Sequence, residues 1–75
     1  MEDRYTLTDL PEMGELYCYI RWTELTLYVD DANFYCDVVD YSRIAAGMAF
    51  KTHEAAERNK YAVYKALTGK EWGNE

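Results

Sequence analysis

The chain has 75 residues, 49% hydrophobic and 16% aromatic, with fourteen acidic against eight basic side chains and a net charge of −6. A chain this short makes one domain and buries roughly 60% of the surface its unfolded form exposes, which excludes a second domain, a large enclosed cofactor and a deep cleft. The charge is unevenly spread, because residues 1–40 hold ten acids and two bases while residues 41–75 hold four acids and six bases.

No apolar run approaches the roughly 18 residues that span a bilayer, and Met1-Glu2-Asp3-Arg4 leads into no apolar signal segment. A soluble, cytosolic protein is expected, without membrane contact. The aromatic and aliphatic content is too high for a disordered tail. Cys18 and Cys36 lie too far apart in sequence for a Cys-x-x-Cys site and are expected to be reduced, buried thiols.

Residues 1–13 read as an N-terminal extension whose Leu7, Leu10 and Met13 are available to dock on a core. From Leu16 the period becomes two: Leu16, Cys18, Ile20 and Trp22 alternate with Tyr17, Tyr19 and Arg21. Leu25, Leu27 and Val29 continue the alternation, and Asp30-Asp31-Ala32-Asn33 supplies turn formers. Phe34, Cys36 and Val38 then alternate with Tyr35, Asp37 and Val39, which predicts a third strand and a β-meander over 14–39.

After Asp40, residues 41–46 favour a short helical turn and Gly47 a chain reversal, within a connection over 40–51 that ends on Phe50 as a core anchor. Thr52 is a good N-cap, Glu54 complements the helix dipole, and Gly69 is a natural stop, so a helix is predicted from His53 to Thr68, with a tail over 69–75. Its apolar arc holds Ala55, Ala56, Ala62, Val63, Ala66 and Leu67. Asn59 interrupts the arc and needs a backbone carbonyl, for which the Gly47 loop is a candidate, and Trp72 is expected to fold back as a lid. The fold class is therefore α+β, a three-stranded antiparallel meander packed against one C-terminal helix, in a single domain.

Chemistry-bearing motifs are scarce. His53 is the sole histidine and is placed on an exposed first helical turn, out of reach of either cysteine. The four glycines form no phosphate-binding loop. Asp30/Asp31 and Asp37/Asp40 lack calcium-loop spacing and read as solvated turns. No catalytic residue, cofactor or metal is assigned, and the protein is not read as an enzyme.

The outward positions of the predicted sheet carry Tyr17, Tyr19, Tyr28 and Tyr35 with Glu24, Asp30 and Asp37. Tyrosine is a good strand former, so the same residues also suit a face covered by the N-terminal extension. Their functional reading is a partner-binding face, because tyrosine offers a large, rigid contact at low entropic cost. Direct nucleic-acid binding is disfavoured, since three acids against Arg21 repel phosphate. An acidic face suits a protein with a basic surface, as nucleic-acid-handling proteins have, and a tyrosine-acid surface can mimic nucleic acid.

Residues 43–57, Arg-Ile-Ala-Ala-Gly-Met-Ala-Phe-Lys-Thr-His-Glu-Ala-Ala-Glu, resemble a strand-to-helix phrase, Gly-x-x-Phe-Lys-Thr-x-Glu-x-Ala, of small phage and prophage accessory proteins. Gly47-Met48 departs from the usual Gly-Asn turn. The resemblance implies a mobile-element origin, in a group that includes anti-CRISPR inhibitors, and no functional residue is carried over from it. The expectation is a small acidic inhibitor of a host nucleic-acid-handling protein, a CRISPR effector being one candidate. The alternative is a scaffold module that self-associates as a homodimer through the same face.

Overall fold

The computed structural model describes residues 3–73, and its elements in chain order are β1 (Leu16–Trp22), β2 (Leu27–Asn33), α1 (Val38–Ala45), β3 (Ala49–Phe50) and α2 (His53–Thr68). The three strands form one antiparallel sheet in the order β2-β1-β3. This is the expected α+β architecture, with the last helix C-terminal. The third strand, however, comes from Ala49–Phe50 on the far side of β1, and not from residues 34–39.

β1 forms where alternation predicted it and pairs with β2 in a hairpin, but residues 30–33, expected as a turn, are the second half of β2, because their backbone groups pair with residues 16–19 of β1. Thr23 Oγ1 accepts from the N–H groups of Leu25 and Thr26, at 3.2 and 3.1 Å, and so closes the turn with a side chain. The register pairs Tyr17 with Ala32, Tyr19 with Asp30 and Ile20 with Val29. Leu25 lies in the turn, not in the strand.

Residues 34–39 fail as a strand for a local reason. Asp37 caps a helix: its carboxylate accepts from Asp40 N–H at 2.9 Å, and the Asp40 carboxylate reaches back toward Asp37 N–H, a reciprocal capping box. Two otherwise unsatisfied donors at the start of α1 are met in this way. Cys36, with φ of 60°, makes the left-handed bend that carries the chain from β2 into α1. The helical turn predicted over 41–46 thus begins three residues earlier and contains Asp40. Gly47, with φ of 77°, reverses the chain again, and a Cβ there would meet Arg4 Nη1 at 2.9 Å, so both backbone and space call for glycine.

For α2 the predicted limits hold. Thr52 Oγ1 accepts from Ala55 N–H at 3.1 Å, and Gly69 ends the helix with φ of 77°. Its inward face is rotated from the predicted arc. Ala55, Ala56 and Val63 are buried and Tyr64 is half-buried, while Ala62, Ala66 and Leu67 are exposed. The rotation follows from an aromatic stack in which Tyr64 meets Trp22 and Trp72 edge-on, each at 5.2 Å between centroids. Trp72 therefore folds back as expected. Asn59 donates to Ala55 C=O at 2.7 Å within its own helix, and not to the Gly47 loop.

Both faces of the sheet are covered. Cys18, Ile20, Leu27 and Phe50 pack under α2 with Ala55, Ala56 and Val63. On the other face Tyr17, Tyr19 and Ala49 pack with Tyr5, Phe34 and Ile44, beneath α1 and the N-terminal segment. That segment anchors itself with Tyr5 and backbone bonds to β3 and the residue after it (Tyr5 N–H to Ala49 C=O, 3.0 Å; Lys51 N–H to Asp3 C=O, 2.6 Å), while Leu7, Leu10 and Met13 stay exposed. No helix among the described residues is long and apolar enough to cross a membrane.

Candidate binding surface

The alternation correctly placed Tyr17, Tyr19, Tyr28 and Asp30 on one face of the sheet, and the structure corrects their exposure. Tyr17 is 0% and Tyr19 is 5% exposed, whereas Tyr28 and Asp30 are half-buried near the open edge. The reading in which the N-terminal segment covers these tyrosines holds in part, through Tyr5. A second layer formed because residues 38–45 are helical and carry Ile44 onto that face.

The buried hydroxyls are held by a polar network. Tyr17 Oη donates to Asp40 Oδ1 at 2.6 Å and accepts from Arg43 Nη1 at 2.9 Å, and Arg43 Nη2 donates to Tyr19 Oη at 3.2 Å with its guanidinium 3.8 Å from the Tyr19 ring centroid. Asp40 Oδ2 accepts from Tyr35 N–H at 2.8 Å. Burial drives the Asp40 carboxyl up, but the Tyr17 hydroxyl, the Tyr35 and Asp37 amides and the Arg43 charge outweigh it and hold its pKa below the ordinary range. Burial and then the Asp40 hydrogen bond push Tyr17 up to about 12. Each polar atom here serves another inside the fold, so the network locks α1 onto β1. It is not a contact face.

The remaining predicted site residues fall elsewhere. Glu24 is exposed in the β1–β2 turn, at the opposite end of the hairpin from Tyr35 and Asp37. Tyr35 and Asp37 are exposed on the loop between β2 and α1. There they join residues that period-two reasoning assigned inward or overlooked. Tyr35 is 62%, Val38 80% and Val39 53% exposed, with Tyr41 and Cys36 beside them. Backbone bonds from Gly14 N–H to Phe34 C=O (2.7 Å) and Phe34 N–H to Glu15 C=O (2.9 Å) bring exposed Met13 and Leu16 to the same end of the molecule. The signal that reveals this corner is Asp37-x-x-Asp40 before Tyr41 and Ile44, a capping-box spacing.

Charge distinguishes this end. Residues 12–16 and 31–42 contain Glu12, Glu15, Asp31, Asp37 and Asp40 and no basic side chain. Asp40 is answered by Arg43, but none of the other four forms an ion pair with a described residue. Around α2 the opposite holds, where Arg58–Glu54, Lys60–Glu57 and Lys65–Glu71 pair locally and Lys51, just before the helix, pairs with Asp9 of the N-terminal segment. The surface is thus apolar, aromatic and uncompensated in charge at one end.

Among the described residues no group of three His, Cys, Asp or Glu side chains is placed to hold a metal ion. An open depression of about 360 Å³ lies at the opposite end, lined by Glu24, Leu25, Tyr64 and Trp72 among others. No family model, curated protein or solved structure matches the chain.

The cysteines provide a check on the register. Cys36 is exposed, contrary to expectation, because its strand became a turn, whereas Cys18 is buried and burial raises its thiol pKa, with Asp31 adding to the effect. Under native conditions one thiol per chain is expected to react promptly with a disulfide reagent, and Cys36→Ser should abolish that phase. Two prompt thiols would contradict the placement of Cys18.

Proposed function

We propose that the protein works by binding another protein, and that its contact surface is the acidic, apolar corner of Tyr35, Val38, Val39 and Tyr41. The observation that carries this reading is the coincidence of exposed aromatic and β-branched side chains with four carboxylates that form no ion pair among the described residues, all at one end. Single exposed apolar residues are ordinary, but a cluster rimmed by charge of one sign marks interaction sites. Aromatic anchors supply buried area and carboxylates choose a partner rich in lysine and arginine.

The partner class that fits is a protein with a basic surface, such as a host nucleic-acid-handling protein. Inhibition of such a protein, a CRISPR effector for example, agrees with the mobile-element resemblance of residues 43–57. The acids argue against direct contact with nucleic acid. They also disfavour the scaffold alternative, because a symmetric dimer through this corner sets like charges together.

The test is comparative affinity capture from a bacterial lysate with the wild-type chain and with Tyr35→Ser/Val39→Ser. Both side chains are exposed, so stability should change by no more than about 0.5 kcal/mol per site. A basic partner should be retained by the wild type, lost from the variant, and released as salt rises through the range where the Debye length falls from about 10 Å toward 3 Å. Identical retention by both chains would sink the corner assignment, and a concentration-dependent dimer in sedimentation would favour self-association.

A further inference from the structure

Among the described residues the sheet has one open edge. At the two ends of the β1–β2 ladder, Phe34 N–H bonds Glu15 C=O at 2.9 Å and Thr23 N–H bonds Thr26 C=O at 2.8 Å. Antiparallel pairs alternate between bonded and non-bonded, so Tyr28, Asp30 and Ala32 turn their backbone groups toward β1, while Leu27, Val29, Asp31 and Asn33 turn theirs away. The other side of β1 has the matching phase: Ile20, opposite Val29, gives its N–H to Met48 C=O at 3.2 Å. β3 is shielded by the N-terminal segment, but β2 is the terminal strand.

We propose that the open edge of β2 accepts an extended, lysine- or arginine-bearing segment of the partner protein as an added strand. This deepens the protein-binding reading and rests on it, since the strand runs directly into the Tyr35 corner. Main-chain bonds to a sheet edge supply affinity, and alternate side chains supply selection. Selection here is by charge, because residues 22–42 contain no basic side chain while β2 presents Asp30 and Asp31 in succession. Arg21 engages Asp30 at 2.9 Å, and Asp31 has no ion-pair partner among the described residues.

A second copy of the chain suits this edge poorly. Antiparallel self-pairing centred on Asp30 or on Asp31 places identical carboxylates directly opposite each other, which is destabilising. The edge also lacks the lysines and prolines with which natural sheets repel any strand. Asp30 Oδ1 accepts from Asp31 N–H at 2.8 Å, which leaves Val29 as the central outward donor.

The probe is a blocked seven-residue peptide alternating lysine and valine, titrated into the whole protein and followed by amide exchange. Exchange at Val29 should slow about tenfold at saturation, while Tyr28 and Asp30, already bonded to β1, change little. N-methylation of alternate peptide residues should weaken binding about tenfold or more, and replacing lysine by glutamate should abolish it. Equal affinity of the methylated peptide, shifts without protection of Val29, or Val29 protection produced by protein concentration alone would each overturn the proposal. The Tyr35→Ser/Val39→Ser chain keeps the edge and should still bind the peptide. Hence an unprotected Val29 in a chain whose corner variant loses its partner defeats the strand proposal alone, and a protected Val29 with an unaffected corner variant defeats the corner alone.

Discussion

Replacing Asp40 with alanine is expected to destabilise the protein by about 3 kcal/mol, a drop in melting temperature of roughly 12–24 °C for a chain of this length. Asp40 is 3% exposed and its two oxygens accept from Tyr17, Tyr35 and Asp37, so its removal orphans buried donors, opens one half of the α1 capping box and leaves Arg43 without its carboxylate. Arg43 is partly exposed, which keeps the loss below that of a fully buried pair. Asp40→Asn should be nearly as damaging, because its amide offers one acceptor oxygen where two are needed, so its nitrogen faces either the Tyr35 and Asp37 amides or the Tyr17 hydroxyl, donor against donor. Urea denaturation of both variants checks this. A loss below about 1 kcal/mol would mean that the network does not hold α1 in solution.

The pH dependence has a definite sign. The folded-state pKa of Asp40 lies below its unfolded value near 3.9, so its contribution is complete above about pH 4 and disappears as pH falls through the folded value. Asp40→Asn should therefore flatten the acid limb of the stability profile. Tyr17 behaves oppositely, since its contribution is complete below about pH 10 and is lost only as pH climbs toward its folded value of about 12.

Phe50→Ala should cost still more, about 4 kcal/mol, and leave the chain largely unfolded at 37 °C. The ring is fully buried between β1 and α2, with Cys18, Ile20 and Val63 around it and the Arg4 guanidinium 5.3 Å from its centroid. Its removal opens a cavity and loosens the β3 contact that holds the N-terminal segment. Phe50→Leu, which keeps most of the volume, should remain folded with a loss near 1.5 kcal/mol. Far-ultraviolet dichroism on heating distinguishes them, and an alanine variant melting within a few degrees of wild type would place the core elsewhere.

How much was legible depends on whether local signals agreed. Thr52, Glu54 and Gly69 are short-range instructions that no neighbour opposes, and α2 spans the residues they mark. The Tyr17/Tyr19/Arg21 alternation assigned a face correctly because side-chain period in a strand is a property of the backbone alone. Residues 34–39 carried two messages, period-two alternation and an Asp-x-x-Asp cap. The cap prevailed because a helix there satisfies its own backbone donors and delivers Ile44 to the open sheet face.

By itself, then, the sequence determined the α+β class, the strand at β1 and the alternation of its side chains, the limits of α2 and the acidic character of the N-terminal half. Tertiary structure alone decided that both faces of the sheet are covered. Exposure is a property of what packs on a face, and the cover over Tyr17 and Tyr19 comes from α1 and Tyr5, distant in sequence and joined to them through Asp40 and Arg43. The same packing turned Tyr35, Val38 and Val39 outward and left β2 as the open edge. The acidic half kept its charge, and the fold moved its exposed aromatic side chains from the sheet face to the corner beside it.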